Sequence, residues 1–140
     1  MRFWDASAIV PLCVEQPSSD AIRALLREDS GVVVWWVSLI ECWSAFARLR
    51  REGVVNLQGE EAARAVLERL RRSWVEIHPG EEVRARAGRL LRTHPLRASD
   101  ALQLAAALVW AGSPPSGQFV SLDQHLREAA LLEGLTPLSA

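Results

Sequence analysis

The sequence contains no lysine, and this absence excludes two kinds of active site. All 16 basic residues are arginine. A phosphate-binding P-loop requires a lysine on the phosphates, and a Schiff-base enzyme requires a lysine amine as its nucleophile. Arginine grips phosphate through its planar fork, but we favour the base composition of the gene as the reason for arginine-only usage.

Cysteine and long apolar runs are also scarce. Cys13 and Cys42 are the only cysteines and lack CxxC spacing, so we expect free thiols in a reducing cytoplasm rather than a disulfide or a zinc site. No apolar run approaches the roughly 20 residues of a membrane-spanning helix, and residues 1–5 lack the pattern of a signal peptide. We therefore expect a cytoplasmic protein without a membrane segment.

The length and the order of apolar segments predict one α/β domain over residues 1–140. The chain is 49% hydrophobic, enough for a core, and its net charge of −1 gives no overall basic field. Strands are predicted at 2–5, 32–37, 74–77 and 118–122, and helices at 8–14, 20–28, 38–52, 58–73, 81–93, 96–111 and 124–133. Ser18 or Ser19 is expected to cap the second helix. Strands that alternate with helices predict a sandwich with a mostly parallel sheet.

Aspartate occurs only five times, and its positions are informative. Asp20 and Asp29 flank a surface helix and are interpreted as solvated. The other acids of interest follow a predicted strand or begin a predicted helix: Asp5, Glu41, Asp100 and Asp123. A parallel sheet gathers such positions at one edge. Converging carboxylates repel one another unless cations join them, and magnesium sites of this kind recur in phosphodiester hydrolysis.

Each acid also has a structural interpretation. Asp5 can form an Asx-turn or cap a helix, and Asp123 can cap the last helix. Ser38 and Glu41 have the spacing of a capping box. Asp100, in the first turn of its helix, can interact favourably with the helix dipole. The metal-site hypothesis rests on all four acids falling, in order, at one predicted edge.

Four segments resemble the motifs of the PIN domain family, and in particular its VapC-type toxin ribonucleases. The segments are 5–10 (DASAIV), 38–41 (SLIE), 96–105 (LRASDALQLA) and 121–126 (SLDQHL). The third is the closest match. The resemblance covers nearly the whole chain and agrees with its length and element order.

The resemblance implies a three-layer α/β/α sandwich around a mostly parallel five-stranded sheet, with an acidic pocket for Mg²⁺ or Mn²⁺. It assigns the catalytic and metal-binding acids and two supporting hydroxyls as follows: Asp5, Glu41, Asp100, Asp123, Ser7 and Ser121. Asp5 and Asp100 are expected to hold the principal ion, and Asp123 is expected to support a second ion or to act through water. The implied activity is metal-dependent endoribonuclease cleavage, by the toxin of a type II toxin–antitoxin pair. The implied partners are RNA (tRNA or rRNA), a cognate antitoxin and a second copy of the chain.

Two other functions remain open at the level of the sequence. One is a catalytically inactive PIN-like module that binds RNA or protein. The other is a phosphatase of the haloacid-dehalogenase type, although that family needs a second acid where Ser7 stands. RNA that approaches an acidic pocket requires a basic rim, and the candidates are Arg48, Arg50, Arg51, Arg84, Arg86, Arg89, Arg92 and Arg97. Most of these arginines are interpreted as solvated helix faces.

Overall fold

A computed structural model describes residues 1–139. In this range the strands are β1 Arg2–Trp4, β2 Val32–Trp35, β3 Val75–Ile77, β4 Gln118–Val120 and β5 Thr136–Leu138. The helices are α1 Ala6–Cys13, α2 Ser19–Glu28, α3 Ser38–Arg51, α4 Leu57–Arg71, α5 Glu81–Thr93, α6 Ala98–Ala111 and α7 Gln124–Leu132. No helix within residues 1–139 has both the length and the apolar character that crossing a bilayer requires.

The five strands form one sheet in the order β3-β2-β1-β4-β5, and every pairing is parallel. Phe3 of β1 is in register with Val33 of β2 and with Phe119 of β4. Because all strands run the same way, their carboxyl ends share one edge. The segments that follow β1, β2 and β4 therefore start at that edge.

Helices cover both faces of the sheet and complete the three predicted layers. One core joins Phe3, Val33 and Phe119 to side chains of α5, α6 and α7. The other joins Trp4 and Val34 of the same strands to side chains of α1 to α4. Alternate residues of one strand thus enter different cores, which explains why β2 is apolar without interruption.

Two predicted helix caps are wrong. Ser18 stands at the N-cap position of α2, but its side chain makes no capping bond. Ser19 is the first residue of the helix, and its hydroxyl accepts from the Gln16 amide and donates to the carbonyl of Pro11. The capping box of α3 is also absent, because that helix already includes Ser38 and the Glu41 carboxylate bonds elsewhere. By contrast, Asp5 and Asp123 do cap α1 and α7.

All four predicted strands are one or two residues shorter in the structure, and a fifth strand is present as well. The second strand ends at Trp35, and the exposed Trp36 belongs to the turn that leads into α3. The residue pattern alone did not identify β5, which contains Pro137. Proline is tolerated there because β5 lies at the edge of the sheet.

Candidate active site

Asp5 is the most buried acid at the carboxyl edge of the sheet. It follows β1 directly, is 4% exposed, and its amide donates to the carbonyl of Val120 at the end of β4. Its Oδ1 accepts from the Ala8 amide at 3.3 Å, which caps α1. Burial is the main cause that raises the pKa of Asp5 to about 7; hydrogen bonds from Ser7, Ser121 and the Ala8 amide oppose it, and the charge of Asp123 adds a smaller increase.

Two hydroxyls hold the Asp5 carboxylate. Ser7 donates to Oδ1 at 2.6 Å, and Ser121 donates to Oδ2 at 2.9 Å. Each hydroxyl also accepts from the chain that leaves β4: Ser7 from the Leu122 amide and Ser121 from the Asp123 amide. The two serines therefore fix the orientation of Asp5 and join it to the loop that carries Asp123.

Asp100 and Asp123 line one cavity of about 400 Å³. Asp123 caps α7 through the bond from the Leu126 amide to its Oδ1, at 3.1 Å. Asp100 lies in the first turn of α6. Partial burial raises the pKa of Asp100, and the charge of Asp123 adds to the increase. The remaining lining residues are Pro95, Arg97, Ser99 and His125.

Glu41 lines a separate groove of about 560 Å³ that also includes Ser7 and Arg48. Its Oε1 accepts from the side-chain amide of Gln103 at 2.6 Å. Burial raises the pKa of Glu41, the Gln103 bond opposes this, and the charge of Asp100 adds to the increase. The charge of Asp100 on α6 therefore reaches Glu41 on α3.

The structure brings the four predicted acids into one electrostatic series. The charge of Asp123 raises the pKa of both Asp5 and Asp100, and the charge of Asp100 raises the pKa of Glu41. Within residues 1–139, however, no three carboxylate, imidazole or thiolate side chains are grouped closely enough to hold a metal ion together. The acids are neighbours rather than a preformed cage.

This donor set fits a hard divalent cation. All four candidate ligands are carboxylates, and magnesium is usually held by one or two carboxylates with water and substrate phosphate completing its shell. A buried carboxylate with a raised pKa beside another acid is a site where a cation lowers the electrostatic cost. Asp5 meets both conditions.

Six of the eight predicted rim arginines fall into two groups in the structure, and the other two, Arg51 and Arg92, line neither cavity. Four arginines are paired with acids other than the four candidates: Arg50 with Glu60, Arg84 with Glu81, Arg86 with Glu82 and Arg89 with Glu133. Arg97 lines the cavity of Asp100, and Arg48 lines the groove of Glu41. Neither is in an ion pair with another residue of the range 1–139. Arg97 and Arg48 are therefore the rim arginines that share a cavity with the candidate acids.

One residue of the site was not predicted. Gln103 is 2% exposed and bonds both Ser38 and Glu41. Its signal in the sequence is that it is a single amide in an otherwise apolar stretch of α6, residues 101–111. That pattern indicates a buried polar contact but not its partner, which lies 62 positions away.

The sequence matches the PIN domain family over residues 2–132. The chain belongs to this family. No curated protein matches the sequence significantly. Membership in the PIN family confirms the resemblance that the four motifs indicated, and the sheet and layers confirm the predicted fold.

Several solved structures share this PIN fold. FitAcB from Neisseria gonorrhoeae aligns with a TM-score of 0.70 at 15% identity, covering 99% of this chain and 96% of that chain. A toxin–antitoxin complex from Klebsiella pneumoniae aligns at 0.67 and 13%, covering 97% and 96%. VapBC2 from Rickettsia felis, bound to a DNA fragment from its promoter, aligns at 0.67 and 12%, covering 99% and 97%. At these identities the likeness shows the fold.

Proposed function

We propose that this PIN domain is a metal-dependent endoribonuclease that acts as the toxin of a toxin–antitoxin pair in the cytoplasm. The observation that carries the proposal is the series of acids Asp5, Asp123, Asp100 and Glu41 at the carboxyl edge of a PIN-fold sheet. Family membership supports nuclease chemistry, and the alignment with chains of toxin–antitoxin complexes supports the biological role.

We assign the following roles to the residues of the site. Asp5 and Asp100 would hold a Mg²⁺ or Mn²⁺ ion, with Glu41 and Asp123 binding it directly or through water. Such an ion supplies an activated water and neutralises charge on the scissile phosphate. Ser7 and Ser121 keep the Asp5 carboxylate in one orientation. Arg97 offers a positive charge beside Asp100 for the phosphate of the RNA.

The antitoxin partner is proposed from the same comparison. The aligned structures from Klebsiella pneumoniae and Rickettsia felis are toxin–antitoxin assemblies, so we expect a cognate antitoxin for this chain. A homodimer of the toxin is proposed from the family resemblance alone. tRNA or rRNA is the proposed substrate. A phosphatase of the haloacid-dehalogenase type is disfavoured, because the chain is a PIN domain and Ser7 serves Asp5 as a hydrogen-bond donor.

The test is cleavage of labelled RNA by the purified protein with Mg²⁺, with Mn²⁺ and with EDTA. We expect cutting only with metal, and products that carry a 5′-phosphate. Asp100→Asn is expected to abolish cutting while circular dichroism stays unchanged. Metal-independent binding without cutting of any RNA would instead favour the inactive binding module. Inspection of the neighbouring gene for a short antitoxin tests the toxin role separately.

A further inference from the structure

The side chain of Gln103 connects two helices at the acidic site. Its amide nitrogen donates to Oε1 of Glu41 at 2.6 Å and to the hydroxyl of Ser38 at 2.8 Å. Both partners belong to the first turn of α3, whereas Gln103 belongs to α6. The amide therefore fixes the start of α3 against α6.

The orientation of this amide is determined by its surroundings. Both amide hydrogens are used, and Oε1 of Gln103 is buried without any partner among residues 1–139. A flipped amide would place that oxygen 2.6 Å from a carboxylate oxygen of Glu41, which is repulsive when Glu41 is ionised. The contact with Glu41 is therefore kept although it leaves a buried carbonyl unsatisfied, a costly arrangement in a protein interior.

Gln103 also lies one helical turn after Asp100. Residues three apart share a face of a helix, so α6 presents an acid and the amide that holds a second acid on the same side. The charge of Asp100 acts on Glu41. A bond from Gln103 to Glu41 therefore sets the separation of two acids that come from different helices.

We propose that Gln103 is a positioning residue that holds the Glu41 carboxylate in place for a divalent cation at the acidic site. The inference rests on the proposed function and adds a residue to it. Outer hydrogen-bond partners of metal ligands typically contribute 10–100-fold to metal affinity or activity. Gln103 touches neither the substrate nor the ion in this role; it acts through Glu41.

The test compares Gln103→Met with Gln58→Met, the same substitution at an exposed position of α4. Methionine keeps the length of the side chain but removes the amide. We expect Gln103→Met to lower Mn²⁺ affinity about 10–100-fold, measured by electron paramagnetic resonance of free Mn²⁺, and to lower kcat more than it raises KM for RNA. Gln58→Met should match the wild type. Equal Mn²⁺ affinity in the two variants would overturn the proposal.

A double-mutant cycle with Glu41→Gln separates positioning from a general structural effect. If Gln103 acts through Glu41, Gln103→Met should change Mn²⁺ affinity little once Glu41→Gln is present. The same loss in both backgrounds would overturn the inference. Should Gln103→Met not fold, Gln103→Asn retains an amide that is one methylene too short, and it is expected to reproduce the loss of affinity.

The Mn²⁺ measurement also distinguishes this inference from the proposed function. A wild-type protein that binds Mn²⁺ but cuts no RNA would contradict the ribonuclease proposal while the Gln103 comparison still gives a result. A wild-type protein that cuts RNA, with Gln103→Met unchanged in affinity and rate, would contradict only the role of Gln103.

Discussion

The hydroxyl of Ser121 donates to Oδ2 of Asp5 at 2.9 Å, between residues that are 116 positions apart in the sequence. The bond crosses from the end of β4 to the end of β1. The same oxygen of Ser121 accepts from the Asp123 amide at 3.1 Å. One hydroxyl thus supports a buried acid and orders the loop that carries its neighbour.

Ser121→Ala is expected to lower the free energy of unfolding by about 1.5–3 kcal/mol, the usual range for a hydrogen bond to a charged group. The loss should be largest above pH 7, where the Asp5 carboxylate is ionised and most needs its donor. Urea denaturation at pH 8 measures it. Ser116→Ala, at an exposed loop position, is the matched control; a loss no larger than that of the control would contradict the role given to Ser121.

Asp5 makes the metal-free protein less stable as the pH rises. Its folded pKa of about 7 exceeds its ordinary value of 3.8 because burial disfavours the charged form. The folded state therefore binds the proton more tightly than the unfolded state, and stability is greatest below pH 3.8 for this group. It declines as the pH rises towards 7, by an amount on the order of 4 kcal/mol at 1.36 kcal/mol per pKa unit.

Asp5→Asn removes this pH dependence, because a neutral amide has no charge to desolvate. Asn can still accept from the Ala8 amide through its oxygen, as Asp5 does. We expect the variant to be more stable than the wild type at pH 8 without metal, and to differ less at pH 5. Thermal denaturation in EDTA checks this. A variant that loses stability equally at both pH values would show that Asp5 is not strained by burial. RNA cleavage should be abolished in either case.

Binding of Mg²⁺ or Mn²⁺ should raise the thermal midpoint of the wild type. A ligand that binds only the folded state stabilises it by about 2.7 kcal/mol at 100 times its Kd. The increase should be reversed by EDTA and strongly reduced in Asp100→Asn, whose side chain lines the cavity with Asp123. Asp20→Asn serves as the control, since Asp20 is exposed and pairs with Arg23 on α2. An equal increase in both variants would place the ion elsewhere.

Much of the fold could be predicted from the sequence because the strong patterns are local. The run at 32–37 predicted β2, and the apolar stretch at 96–111 predicted α6, each within two residues of the observed bounds. The edge strand β5 was not evident from its residues, since three residues with a central proline give no strand pattern. Its place follows from pairing with β4, which no local pattern encodes.

The candidate site was predictable in its acids but not in its connections. Strand ends and helix starts placed Asp5 and Asp123 at one edge, and both also cap helices, so the two interpretations were compatible. The capping box predicted at Glu41 does not form, because Gln103, 62 positions away, offers this carboxylate a buried donor. Competition between a local and a distant partner is decided by packing, which the spacing of residues does not reveal.

Glu133, at the C-cap of α7, offers a contrasting ion-pair cluster that contains none of the four candidate acids. It accepts from Arg89 at 2.8 Å and contacts the buried His94 at 2.6 Å, and these bonds, Arg89 first, hold its pKa below the usual range. A depressed pKa contributes stability above the ordinary pKa of 4.5 that is lost as the pH falls through the folded value.

Glu133→Gln should therefore lower the free energy of unfolding by about 1–3 kcal/mol at pH 7 and by much less near pH 3, with RNA cleavage unchanged. Urea titrations at the two pH values measure this against the exposed control Glu128→Gln; an equal loss at both values would mean that the charge of Glu133 does not stabilise the junction of α5 and α7.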